Sequence, residues 1–199
     1  MTHIFNILVA GVGGQGNLAC SRIIAKASML DGWIPVVGQT FGASRRGGTV
    51  FTHIRMARER IVGPLIPEGH LDLVLGLEPL EALRGATLFG HDSTECIVCA
   101  RVIQTLDTLA GVTEYPQIDE VRRGLETVCS KVYWVTPRTC TGVGLRQLNA
   151  LMTGVMVGLE NTPLSRQAVE KAMHEMPGNR DLNRAAFEQG LAVAESLRD

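Results

Sequence analysis

Apolar positions along the chain switch repeatedly between two periods. Ile7-Leu8-Val9-Ala10 is an unbroken apolar run of the kind a fully buried strand shows. It leads into Gly11-Val12-Gly13-Gly14-Gln15-Gly16, after which Cys20 to Ala27 carries apolar residues at helical spacing. Trp33 to Gly38 predicts a second strand, and Thr49 to Met56 a third that alternates with a period of two. Arg58-Glu59-Arg60 reads as a hairpin turn into Ile61-Val62. Leu71 to Leu77 reads as a buried strand, and Pro79 opens a helix with proline in its first turn. A strand over 95–103, a helix over 117–129 and a last strand at Val132–Val135 follow.

The C-terminal third reads as helical. Leu145 to Leu159 is apolar nearly all round, and Gly154 and Gly158 have the spacing of close backbone packing, in a core or at a subunit contact. Ser165 to Met173 is amphipathic, and Asn183 to Leu197 closes the chain. Strands alternating with helices predict an α/β fold. The expected architecture is a three-layer, Rossmann-like, mostly parallel sheet flanked by helices, with an antiparallel hairpin and a helical C-terminal third. No repeat or linker interrupts residues 1–199, which read as a single domain large enough to bury about 70% of its unfolded surface.

Composition narrows the function classes. A formal net charge of −1 supplies no field drawing the chain to nucleic acid or a membrane surface. An aromatic content of 5% argues against base-stacking platforms. No apolar segment approaches the length of a spanning helix, and no basic lead-in precedes the first one. Five scattered cysteines suggest a reducing compartment, so a cytoplasmic location is expected. Cys96 and Cys99 form a single C-x-x-C on a predicted strand with no second ligand pair, and read as core residues.

The candidate chemistry lies in loops. Strand, glycine-rich turn and helix together present unpaired backbone N–H groups to an anion, and Gly11, Gly13, Gly14, Gln15 and Gly16 make up that turn. A dinucleotide site would also need a ribose-binding acid at the end of the second strand, and none is present there. A second loop, Gly42-Ala43-Ser44-Arg45-Arg46-Gly47-Gly48, combines guanidinium forks with glycines and is a candidate anion or partner site through Gly42, Ser44, Arg45, Arg46, Gly47 and Gly48. The rival reading is an exposed hairpin with solvated arginines. His53 reads as a packed residue and Glu78 as a helix N-terminal carboxylate. No self-sufficient catalytic set is recognisable.

With those residues in view, the chain resembles the gamma subunit or domain of 2-oxoacid:ferredoxin oxidoreductases, most closely the small-subunit family of indolepyruvate ferredoxin oxidoreductase. The resemblance runs nearly end to end. It includes the two glycine loops, Pro64 to Gly69, Leu75 to Leu83, and Asn183 with Ala186, Phe187 and Gly190. The stretch Thr136–Gly144 departs from the family's usual connection.

The resemblance implies a complex that oxidatively decarboxylates a 2-oxoacid to an acyl-CoA and passes electrons to ferredoxin. Thiamine diphosphate, Mg and [4Fe-4S] clusters are then held by large partner subunits, and no cofactor is firmly bound by this chain. Coenzyme A access beside the thiamine site would fall to this chain. Gly13, Gly14, Gln15 and Gly16 would act as backbone donors, with Arg46 and Gly47-Gly48 as a second clamp. Self-association of the isolated chain is also expected. Two other readings stay open: a stand-alone NAD(P)- or FAD-dependent oxidoreductase, and a nucleotide-binding regulatory module using the glycine-rich loop.

Overall fold

The computed structural model describes residues 4–42, 48–104, 108, 111, 114–136, 143–144, 147–174 and 178–198. Its centre is a six-stranded sheet in the order β2-β3-β1-β4-β5-β6. The strands are β1 (Ile4–Val12), β2 (Ile34–Phe41), β3 (Thr49–Ala57), β4 (Leu73–Gly76), β5 (Glu95–Cys99) and β6 (Lys131–Val135). The helices are α1 (Asn17–Leu30), α2 (Pro79–Phe89), α3 (Ile118–Val128), α4 (Leu148–Gly158), α5 (Arg166–Met173) and α6 (Arg180–Arg198).

β1, β4, β5 and β6 pair in parallel, whereas β3 is antiparallel to both of its neighbours, β1 and β2. The expected α/β class, antiparallel hairpin and helical C-terminal third are therefore all present. The hairpin differs from the sequence reading in its partner: β3 turns back from β2 across 42–48, and Ile61-Val62 is not a strand. Both edges of β3 are already taken by β1 and β2, so no ladder remains for residues 61–62, and Ile61 is left 79% exposed. β5 stops at Cys99, short of the predicted 103, because β6 ends at Val135, opposite Cys99. The predicted helix start at Leu145 and most of the atypical stretch after Thr136 lie outside the described residues.

Alternation along the strands divides the core into two. Ile7, Val9, Ile54, Leu75 and Ile97 face α1 and the C-terminal helices, where Ile24, Leu151 and Phe187 meet them. Leu8, Ala10, Phe51, Val74 and Val98 face the other way, onto Ala82 of α2 and Val121 and Leu125 of α3. Gly154 and Gly158 of α4 make a core contact with α6. A Cβ on Gly154 would strike the Phe187 carbonyl, and one on Gly190 the Leu151 carbonyl. Helix α4 can be apolar all round because sheet, α5 and α6 enclose it.

Candidate functional site

In a sheet of this order the chain leaves β1 and β4 in opposite directions, which opens a crevice beyond their carboxyl ends. The glycine-rich turn lies on one side of that crevice and Leu77-Glu78-Pro79 on the other. Gln15 joins them: its side chain accepts the Val12 N–H at 2.7 Å and donates to the Leu77 carbonyl at 2.8 Å. Gly11 makes room for this bridge, since a Cβ there would lie 2.7 Å from both Gln15 Oε1 and Asn17 Oδ1. Asn149, in the first turn of α4, closes the back of the turn by donating to the Gln15 carbonyl at 3.2 Å.

The backbone donors of the turn divide into engaged and free. Gly13 N–H bonds the Gly48 carbonyl at 2.9 Å and Gln15 N–H the Val12 carbonyl at 3.1 Å, so these two are not available to a ligand. The N–H groups of Gly14, Gly16, Asn17 and Leu18 have no acceptor among the described residues, and α1 carries no side-chain cap. Gly14 and Gly16 have φ of 102° and 84°, the left-handed region that glycine enters without strain. Nothing lies within 4 Å of a Cβ placed on Gly14, so the turn opens outward there. Free N–H groups at the start of a helix of 14 residues, with open space before them, suit an anion. Two further polar atoms nearby are buried and unpartnered among the described residues, Asn17 Oδ1 and Asn149 Oδ1, each of which can accept from a ligand donor or water. Neither asparagine was singled out as a site residue by the linear pattern, because 132 positions separate them in the chain and only folding makes them neighbours of one turn.

The second loop converges on the first. The β1–β3 register sets Val12 opposite Thr49, and Gly42 N–H bonds the Thr49 carbonyl at 2.8 Å. Gly42 and Gly48 therefore reach the edge that carries Gly11, Gly13, Gly14, Gln15 and Gly16. Ser44, Arg45, Arg46 and Gly47 lie outside the described residues. One cation near this edge is Arg84 of α2, which donates to Glu81 at 2.7 Å and to the Thr49 hydroxyl at 3.4 Å. It borders an apolar cavity of about 630 Å³ between α2 and the β2–β3 hairpin, lined by Phe41, Phe51, Leu83, Leu88 and Phe89.

Across the crevice, Glu78 caps α2 by accepting the Glu81 N–H at 3.0 Å, and its other oxygen accepts the Tyr115 hydroxyl at 2.6 Å and the Ile103 N–H at 3.4 Å. Burial nevertheless pushes its carboxyl above the ordinary range, against the lowering effect of these donors. Glu81 is likewise raised by burial, opposed chiefly by Arg84. His53 is packed on β3: its Nδ1 accepts the Ile66 N–H at 3.3 Å, and its ring meets Phe89 edge-on at 5.1 Å. Burial lowers its pKa, with Arg55 adding to the effect.

Cys96 and Cys99 belong to opposite cores, one on each face of β5, so they cannot converge on one ion. The slot beside β1 is also filled differently from a dinucleotide-binding sheet. Antiparallel β3 lies between β1 and β2 and moves the end of β2 about 10 Å, two strand spacings, from the glycine-rich turn. No helix among the described residues is long and apolar enough to cross a membrane.

Comparison with known proteins bears on this geometry. Residues 6–193 match the family described as pyruvate ferredoxin/flavodoxin oxidoreductase. The chain is 37% identical to indolepyruvate oxidoreductase subunit IorB of Archaeoglobus fulgidus, over 97% of this chain and 96% of that one. It is 34% identical to the IorB subunit of Methanothermobacter thermautotrophicus, over 96% and 99% respectively. Among solved structures, the gamma subunit of a keto/oxoacid ferredoxin oxidoreductase from Geobacter sulfurreducens superposes with a TM-score of 0.63 at 23% identity, covering 96% of this chain and 99% of that one. Pyruvate oxidoreductase subunit PORC of Thermotoga maritima gives 0.64 at 18% identity, over 95% and 96%. The 2-oxoglutarate:ferredoxin oxidoreductase of Magnetococcus marinus gives 0.66 at 20% identity, covering 98% of this chain but 31% of that longer one.

Proposed function

Because this chain belongs to the pyruvate ferredoxin/flavodoxin oxidoreductase family, we propose that it is the small, gamma-type subunit of a 2-oxoacid:ferredoxin oxidoreductase of the indolepyruvate branch. The observation that carries this reading is full-length similarity to IorB subunits at 37% and 34% identity. The enzyme would work in the cytoplasm and oxidatively decarboxylate an arylpyruvate to its acyl-CoA, with electrons passing to ferredoxin. Thiamine diphosphate, Mg and the [4Fe-4S] clusters are assigned to the large partner subunit. The described residues of this chain contain no group of three His, Cys, Asp or Glu disposed to hold a metal.

The part proposed for this chain is to hold a phosphate of coenzyme A, the thiol that accepts the acyl group. Gly14, Gly16, Asn17 and Leu18 would donate the N–H groups that have no acceptor among the described residues, and Gly42, Ser44, Arg45, Arg46, Gly47 and Gly48 would supply a second clamp on the anion. Gly13 and Gln15 act differently in this reading: they shape the turn through bonds to Gly48, Val12 and Leu77.

Isolation of the chain from extracts of its own cells, with assay of the eluate for CoA-dependent 2-oxoacid oxidation, tests the assignment. Recovery of a thiamine- and cluster-containing partner, with greater activity on arylpyruvates than on pyruvate, is expected. Recovery of a lone chain that binds NAD(P) saturably overturns it.

A further inference from the structure

Folding places Cys96 against Cys129, not against its sequence neighbour Cys99. Cys96 lies on the β5 face turned toward α2 and α3, and Cys129 is the residue that terminates α3. The Ser130 N–H and hydroxyl both bond the Thr94 carbonyl, at 2.8 and 3.0 Å, and the β5–β6 register sets Cys96 beside Val132. These contacts hold the end of α3 against the start of β5, and the two thiols lie in one core cluster, near enough that each shifts the other's ionisation.

The two sulfurs have different surroundings. Cys96 is fully buried among apolar side chains. Cys129 lines a cavity of about 480 Å³ between the ends of α2 and α3, together with Thr87, Gly90, His91, Asp92 and Thr127. Burial pushes the Cys96 thiol well above its ordinary value, whereas the neighbouring Cys96 thiol draws Cys129 down. Cys20 offers a contrast within the same chain: it is fully buried, bonded to Thr153 and pushed up to about 12 by burial.

We propose that Cys96 and Cys129 form a thiol pair that hydroperoxides oxidise to an intramolecular disulfide, with Cys129 reacting first from its cavity and Cys96 resolving it from behind. Reactivity of this kind requires a sulfur that a small oxidant can reach and a second thiol packed beside it; Cys129, though only 8% exposed, borders the cavity, and Cys96 lies behind it in the same core. In the first step the Cys129 thiolate attacks the hydroperoxide, an S–O bond forms, the O–O bond breaks, and the departing alkoxide takes up a proton to leave as alcohol. In the second step Cys96 attacks the Cys129 sulfur, an S–S bond forms and the S–O bond breaks. The hydroxide released takes the Cys96 proton and leaves as water. The two thiols together give up two electrons, and these reduce the hydroperoxide to alcohol and water.

The test uses the full chain, folded and titrated with hydrogen peroxide until the first cysteine oxidises, followed by peptide mapping. A Cys96–Cys129 crosslinked peptide is expected at that point, with Cys20 and Cys99 still reduced. Cys96→Ala should leave a sulfenic acid on Cys129 that dimedone traps, and Cys129→Ala should leave Cys96 unoxidised. Iodoacetamide labelling of the unmodified native protein gives a readout independent of the variants, with Cys129 labelled about tenfold or more faster than Cys20. Absence of the Cys96–Cys129 crosslink when another cysteine has oxidised overturns the proposal, as does equal labelling of Cys129 and Cys20.

Discussion

Gln15 and Leu77 are joined by a 2.8 Å hydrogen bond that ties the glycine-rich turn after β1 to the start of α2 after β4. The same carboxamide accepts the Val12 N–H, so one buried side chain satisfies a donor and an acceptor at the mouth of the sheet. Gln15→Ala leaves both groups unpaired, and a loss of about 2 kcal/mol is expected in urea denaturation. Gln15→Glu keeps an acceptor for Val12 but turns an oxygen toward the Leu77 carbonyl, and should be destabilised as well. A loss within 0.5 kcal/mol for Gln15→Ala, the ordinary range of surface substitutions, would show that the bridge is dispensable.

The anion-binding role proposed for the turn separates from its structural role at Leu18. This side chain is 43% exposed in the first turn of α1, so Leu18→Asp should leave the fold intact and favour the helix by about 0.5 kcal/mol. A carboxylate placed there opposes a bound phosphate, and CoA affinity by calorimetry is expected to fall about tenfold. Gly16→Ala should act differently, because its Cβ meets the Asn149 amide and its φ becomes strained, so stability and affinity fall together.

Glu78 makes stability depend on pH in a direction opposite to that of most carboxylates. Its folded pKa is raised by burial above the ordinary 4.5, so the unfolded chain gives up its proton first as pH rises. Its contribution is fully present below 4.5 and is lost as pH climbs from there through the folded value. Glu78→Gln retains an oxygen for the Glu81 N–H and should flatten this part of the denaturation-midpoint curve. An unchanged slope in Glu78→Gln would assign the effect to another group, of which Glu81 is the nearest.

His53 acts at the acid side of neutrality. Its folded pKa lies below the ordinary 6.5, so the unfolded state takes up the proton first as pH falls, and stability declines downward from 6.5. His53→Gln is expected to cost stability at pH 8 through lost packing against Phe89, yet to remove the decline below 6.5. NMR titration of the His53 ring in the folded protein checks the premise directly.

Helices α4 and α6 are held at a separation that only glycine permits. Gly190→Ala should cost about 1–3 kcal/mol by overpacking, because its Cβ runs into the Leu151 carbonyl. Leu182→Ala, on the exposed side of α6 at 54% exposure, should fall within 0.5 kcal/mol of the parent. Equal effects in chemical denaturation would mean that the helices slide apart at little cost.

Local pattern determined much of this protein before folding is considered. Periods of two and 3.6, with glycine and proline as boundaries, are short-range properties, and they located the strands, the glycine-rich turn and the Glu78 cap. Each depends on residues within a few positions of one another. Tertiary structure decided what those pieces meet. The Gly13–Gly48 bond, the Gln15–Leu77 bridge, Asn149 behind the turn and the Cys96–Cys129 contact join residues 33 to 134 positions apart. No spacing rule reaches that far. The turn reads from the sequence as a candidate anion site, but which of its N–H groups are left without an acceptor among the described residues depended on β3 entering beside β1, and which thiol packs near Cys96 depended on the packing of α3 against β5.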